Sequence, residues 1–248
     1  MTDDAALFFE ELTESLATRD FLGPRNPVLV RSASPAFDLA AALGQYCHLP
    51  AEIAELLETA RARLSGWPDV FAELSRNIGE ERGARTENIS HYEILVRGLS
   101  KELGLDVTKI PASEETRTFL NTLFEGMDDP SLPLAAGCVY ALEDSAVPEL
   151  QVVSDLINAQ AFRMGRAALI DLSSADEGTH ARREYSLNYF FRLHIYDFEI
   201  GHRTFLAEAL GSQVVGMRAA DEFRRGYEVT INAMANWWLA MAFASPIA

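Results

Sequence analysis

The sequence predicts an all-α protein, a single domain over residues 1–248 built from about seven to eight helices. Three observations predict it. Apolar residues recur at three- and four-residue spacing along most of the chain, the period of a helix with one buried face. No stretch sustains the apolar–polar alternation of a strand. No repeat, low-complexity linker or composition break divides the 248 residues, which suffice for one sizeable core.

Leu7, Phe8, Leu12 and Leu16 mark a first amphipathic helix. Pro27-Val28-Leu29-Val30 is the one short β-like fragment. Ser34-Pro35 has the form of an N-cap with proline in the first turn, opening a helix to about Cys47. Pro50 opens another, through Leu56 and Leu57 to Leu64, and Trp67 to Glu81 forms the next. Gly83 interrupts, and helical spacing resumes from His91 to Leu103. Ser113-Glu114-Glu115 suits the head of Thr116–Met127, since acids favour the N-terminal end of the dipole. Leu132 to about Phe162 reads as one long helix, kinked or broken near Pro148. Asp171–Thr179, small and acidic, reads as a loop. Tyr185–Leu210 and Ala219–Ala244 complete the set, with Pro246 just beyond.

Apolar residues make up 48% and charged residues 23%, ordinary globular proportions. The formal charge of −16 repels a phosphate backbone, so nucleic acid is not an expected partner. No apolar run reaches the roughly 18–20 residues a membrane helix needs. Ala233–Ala244, with Trp237 and Trp238, is too short to span and reads as a buried helix. The start, Met-Thr-Asp-Asp, has no basic region before an apolar segment, so no signal peptide is expected. Two distant cysteines, Cys47 and Cys138, fit neither a disulfide scaffold nor a Cys-rich metal site, and the reducing cytoplasm is the expected compartment.

Chemistry concentrates in few places. Of five histidines, two share one helical segment with acids: His194, Asp197, Glu199 and His202 fall within nine residues. On a straight helix at about 100° per residue, His194 and His202 stand about 80° apart, with Glu199 about 60° beyond His202. All three fit one broad face. Phe190, Phe191, Leu193 and Ile195 around them predict burial, and buried acids need partners. Imidazole with carboxylate suits iron, manganese or zinc. The five-residue gap from His194 to Glu199 is awkward for a shared ion unless a π-bulge closes it; otherwise Asp197 is the acid.

A two-metal site needs further ligands. Glu199-Ile-Gly-His202 is the one Glu-x-x-His on a predicted helix, because Glu177-Gly-Thr-His180 falls in the loop; a ferritin-like set is therefore disfavoured. Two other segments qualify. Asn77-Ile-Gly-Glu80-Glu81-Arg-Gly83 precedes His91-Tyr-Glu, with Glu80 read as an exposed charge. Tyr140-Ala-Leu-Glu143 follows the small, apolar stretch Leu134–Val139, which points Glu143 inward unless it and Asp144 form the wet side of the helix.

Together these segments, spanning about residues 70–210, resemble the haem-oxygenase-like di-iron oxidases. Glu81 with His91, then Tyr-Ala-Leu-Glu143, then Phe-Phe-Arg-Leu-His194 through Glu199 and His202 are similar to that family's ordered ligand segments. The resemblance implies a seven-helix bundle holding two non-haem irons on Glu81, His91, Glu143, His194, Glu199 and His202. The family places its late acid four residues after the first histidine, one fewer than Glu199 stands here. Glu199 is the preferred ligand, and Asp197 the alternative or a partner that orients a histidine. O2 is then a co-substrate, an external electron donor is admissible, and a homodimer is a common assembly. The implied reaction is N-oxygenation of a small amine or amino acid in a biosynthetic pathway, or else desaturation or oxidative C–C cleavage of an amino acid or fatty acid. Arg97, Arg192 or Arg203 are candidates to pair a substrate carboxylate. Tyr92, Tyr196, Phe190 and Trp237 are candidates to line its pocket.

Three other readings compete. Haem oxygenase itself needs an axial histidine, for which His48, beside Pro50, is poorly placed; His48 and His180 suit structural roles. A metal-free thiaminase-like enzyme would rely on Cys138, little more than a turn from Glu143. A non-catalytic helical protein would keep its acids on the surface.

Overall fold

The computed structural model describes residues 3–173, 186–214 and 216–243. All regular structure among them is helical. In chain order the α-helices are α1 Asp3–Ala17, α2 Pro27–Arg31, α3 Leu39–Tyr46, α4 His48–Arg63, α5 Pro68–Glu81, α6 His91–Leu103, α7 Glu114–Met127, α8 Leu132–Arg163, α9 Leu187–Leu193, α10 Glu199–Leu210 and α11 Met217–Phe243. A π-turn, His194–Phe198, joins α9 to α10, so the two form one continuous run. Counted that way, eight long helical runs match the expected number, and α2 and α3 are short additions. Tyr185, Glu177, His180, most of the expected loop after Ser173, Ala244 and Pro246 lie outside the described residues.

The β-like fragment is helical instead. Asn26 caps it, its side-chain oxygen accepting from the amides of Val28 and Leu29 at 2.8 and 3.2 Å, with Pro27 in the first turn. Three branched residues favour a strand locally, but the Asn-Pro start decides the backbone. Ser34-Pro35 marks a turn rather than a helix start. Asp38 is the cap of α3, accepting from Ala41 N at 2.9 Å. α4 starts at His48, two residues before Pro50, which the first turn tolerates because its amide would have no intrahelical acceptor. Ser113 caps α7 through Thr116 N, as expected.

α8 is the axis of the molecule and runs unbroken through Pro148. Interior proline costs about 3 kcal/mol or more, and burial of most of α8 outweighs it. Its Leu134–Val139 stretch is apolar all round because α11 covers it at very close range. A Cβ on Gly226 would lie 2.0 Å from the carbonyl oxygen of Leu134, so only glycine allows that approach. Trp237 of α11 stacks on Phe119 at 4.3 Å and donates its indole N–H to Thr116 Oγ1 at 3.0 Å. It belongs to the core, not to a pocket. No helix among the described residues is long and apolar enough to cross a membrane.

Candidate metal centre

Four helical segments deliver the chemistry to one point beside α8. Glu81 is the last residue of α5 and His91 the first of α6. The loop between them doubles back at Gly83, whose φ is +97° and whose Cβ would sit 2.6 Å from the backbone of Ile89. Ser90 then caps α6, accepting from Glu93 N at 3.2 Å, which sets His91 inward at the helix start. Glu143 stands inward on α8. His194 opens the π-turn, Glu199 opens α10, and His202 lies one turn on. The amide of Glu199 bonds to the carbonyl of His194, the five-residue span that defines a π-turn. The extra residue is thereby absorbed, and His194 and Glu199 face the same cavity.

The donor atoms form two overlapping triads. Glu81, His91 and His194 offer ligand atoms all within 4.8 Å of one another, and so do Glu81, Glu199 and His202. Glu81 belongs to both. His194 Nε2 lies 2.9 Å from His91 Nδ1, which lies 3.1 Å from Glu81 Oε1. His202 Nδ1 lies 3.4 Å from Glu143 Oε2 and 3.5 Å from Glu199 Oε2. The outer nitrogens of two histidines are tied down. His194 Nδ1 is 2.7 Å from the carbonyl of Phe190, and His202 Nε2 is 2.9 Å from Glu80 Oε2. Those bonds turn His194 Nε2 and His202 Nδ1 toward the cluster, the latter able to ligate once a cation displaces its proton. Asn77 donates to Glu143 Oε1 at 3.2 Å.

The electrostatics fit a cation cluster. Burial lowers both His91 and His194 to about 4, so each is a neutral ligand at physiological pH. Burial likewise raises Glu81, against the pull of His194 and His202. His202 is the exception: burial opposes its charge, but Glu143, Glu199 and Glu80 outweigh burial and push it far up. Glu80 is raised by burial and held below the usual range by His202 and Arg76. Four carboxylates thus surround one imidazolium. Two imidazole nitrogens meet head-on, and His91 Nε2 is buried with no hydrogen-bond partner among the described residues. Such a donor set is costly by itself and suits divalent iron or manganese.

Several residues stand elsewhere than the sequence suggested. Asp197 is exposed and pairs with Arg85 at 2.6 Å, so it neither ligates nor orients a histidine. The π-turn puts it on the outer side, and Glu80 orients His202 instead. Glu80 is buried, not exposed, with Arg76 and Arg85 over its outer oxygen at 2.8 and 3.9 Å. Asp144 is buried too, bonded by Tyr227 and Thr13 at 2.7 and 2.8 Å, with Arg203 at 3.7 Å. Tyr92, Arg97, Arg192 and Tyr196 are absent from the cavity wall, which does include Phe190. Tyr92 packs against the core, and Arg97 pairs with Glu93 on the surface. Arg192 donates to the carbonyl of Asp171 at 3.1 Å, and the Tyr196 hydroxyl donates to that of Leu172 at 2.6 Å. Cys138 faces α11, its Sγ 3.3 Å from the carbonyl of Gly226, and burial raises it to about 11; it is no cavity nucleophile. His48 bonds to the Ile110 carbonyl at 3.0 Å, a structural contact.

The sequence reading sets Glu80 on the outside and passes over Glu149. Both carried a signal. Glu80 lies three residues from Asn77 on the buried side of α5, and Leu142, Ser145, Glu149, Val152 and Leu156 follow one helical stripe.

The π-turn is open to a direct test. Deleting exposed Tyr196 restores a regular helix with His194 and Glu199 four apart, and metal binding is expected to survive within about tenfold. Loss of all bound metal at unchanged helix content would show that the widened turn is needed for more than taking up one residue.

The family model described as "Domain of Unknown Function with solved-structure structure (DUF3865)" matches residues 11–166. Two crystal structures of a CADD-like protein of unknown function from Nostoc punctiforme PCC 73102, at 2.00 and 1.35 Å, are similar to the chain. Both are 27% identical, with TM-scores of 0.82 and 0.79; they align over 97% of this chain and over 98% and 95% of their own. No curated protein matches.

Proposed function

The chain belongs to the DUF3865 family, and from that premise we propose that it is a haem-oxygenase-like, non-haem di-iron oxidase that uses O2 on a small organic substrate. The observation that carries the proposal is the pair of buried donor triads sharing Glu81. His91 and His194 with Glu81 would hold one iron, and His202, Glu199 and Glu143 would hold the other, with Glu81 in reach of both. Bound there, the two irons supply the electrons for O2 reduction, which the side chains alone lack. The chain's own residues do the rest. The Phe190 carbonyl and Glu80 orient the His194 and His202 rings, each with one nitrogen toward the cluster. Asn77 steadies Glu143. Leu49, Ile53, Leu57, Leu95 and Leu150 make the cavity wall apolar and exclude water beside the cluster.

The finer reading is N-oxygenation of an amine. Its support is the resemblance of the ligand segments together with a cavity that holds carboxylates and no lysine or arginine. Desaturation and C–C cleavage remain the competing outcomes.

Full-length protein loaded anaerobically with Fe(II) is expected to retain about two irons per chain and to consume O2 when air is admitted. His194→Ala is expected to lower the iron content to about one. Iron no higher than in a mock-treated, unrelated helical protein would sink the proposal.

A further inference from the structure

One buried side chain in the cavity has no task in holding metal. Glu149 stands on α8, six residues beyond Glu143, and is 3% exposed. It lines the same cavity as Glu81, His91, His194 and Glu199. Its Oε2 makes no well-formed hydrogen bond among the described residues; the indole N–H of Trp238 is a neighbouring donor that is likewise without a well-formed one. A carboxyl oxygen that lines a cavity and is left short of protein donors is available to a ligand there.

We propose that Glu149 is the recognition group for substrate and that it takes the amine end of an amphipathic primary amine that carries no carboxylate. The proposal rests on the oxidase reading for the identity of the cavity as a substrate chamber. The wall decides the class. Leu49, Ile53, Leu57, Leu95 and Leu150 accept an apolar body. No lysine or arginine is among the described lining residues. A fatty acid or a free amino acid would set its carboxylate against Glu149, with no lysine or arginine among the described lining residues to answer it. An amine supplies the hydrogen-bond donor that Oε2 lacks.

The protonation of Glu149 suits that partner. Burial lifts its carboxyl to about 8, Trp238 opposing and Glu199 adding to the rise. An acid–amine pair has the same net charge whether the proton sits on oxygen or nitrogen. Binding a neutral amine to the protonated acid therefore buries no net charge. Tyr46, whose ring packs on Trp238 at 5.9 Å between centroids, closes this end of the cavity.

The test is calorimetric titration of anaerobic Fe(II)-loaded, full-length protein with n-hexylamine, n-hexanol and hexanoate. Hexylamine is expected to bind at least about tenfold more tightly than hexanol or hexanoate. Glu149→Gln is expected to lose at least about tenfold in hexylamine affinity and to change hexanol binding by less than about threefold. The variant is expected to keep its iron and its unfolding temperature, because glutamine keeps an oxygen for the Trp238 indole and removes a buried acid; a structural carboxyl would lower that temperature. Unchanged hexylamine affinity in the variant, preference for hexanol or hexanoate, or no binding of any probe to wild type overturns the inference. Iron content is read on the same samples. Two irons with amine binding indifferent to Glu149 sinks this inference alone. Amine binding that depends on Glu149 without iron sinks the oxidase reading alone.

Discussion

Glu81→Gln is expected to empty both metal positions at once, taking the protein from about two irons per chain to near none. Glutamine keeps the volume and loses the charge and one ligating oxygen. The reason for the joint loss is topological. Glu81 belongs to both donor triads, whereas His91 and His194 serve only one and His202 only the other. A histidine variant therefore leaves a half-site, as expected for His194→Ala, while Glu81→Gln leaves none. The variant is expected to unfold at a temperature no lower than chelated, metal-free wild type, because burial penalises the Glu81 carboxylate. That second reading separates lost ligation from lost folding. Retention of one tightly bound iron by a folded Glu81→Gln protein would show that the two sites do not share this residue.

Metal is also expected to stabilise the fold. Glu80, Glu81, Glu143 and Glu199 are packed around His202, and like charges repel strongly in a dry interior. A ligand present at about a thousand times its Kd adds about 4 kcal/mol. For a chain of this size that is a rise on the order of 10 °C in unfolding temperature. Calorimetry of chelated and Fe(II)- or Mn(II)-loaded protein reads it directly. Hydrogen exchange locates it: protection is expected to rise most along α9, the π-turn and α10, which carry three of the donors on one run. Equal midpoints and equal exchange in the two states would mean that no cation completes this cluster.

The helical runs were legible because helix signals are local. Ser113 caps α7 and the 3–4 spacing of Phe8, Leu12 and Leu16 marks α1 without any knowledge of the rest of the chain. Leu7 shows the limit of the same reasoning: it fits the spacing and is 57% exposed, because Phe9 takes the buried side. Where two local signals competed, as at Pro27–Val30 and Ser34-Pro35, a neighbouring cap decided, and it lay just outside the residues that drew attention. Pro148 was judged by its local cost, whereas the core packed around α8 outweighs that cost.

The site divides the same way. Spacing alone placed Glu199 and His202 on one face and left the gap to His194 with two solutions, a π-turn or Asp197 as the acid, since rotation per residue is a property of the backbone. Order along the chain nominated Glu81, His91 and Glu143. Which charges are buried, and against what, was decided only in three dimensions. Glu80 faces His202, 122 residues away, and Asp197 faces Arg85, 112 residues away. Glu149 opens into a cavity whose walls come from α3, α4, α5, α6, α8 and the α9–α10 run. A carboxylate's role depends on the charges and solvent within a few ångströms of it, and for these residues those neighbours are supplied by distant parts of the chain.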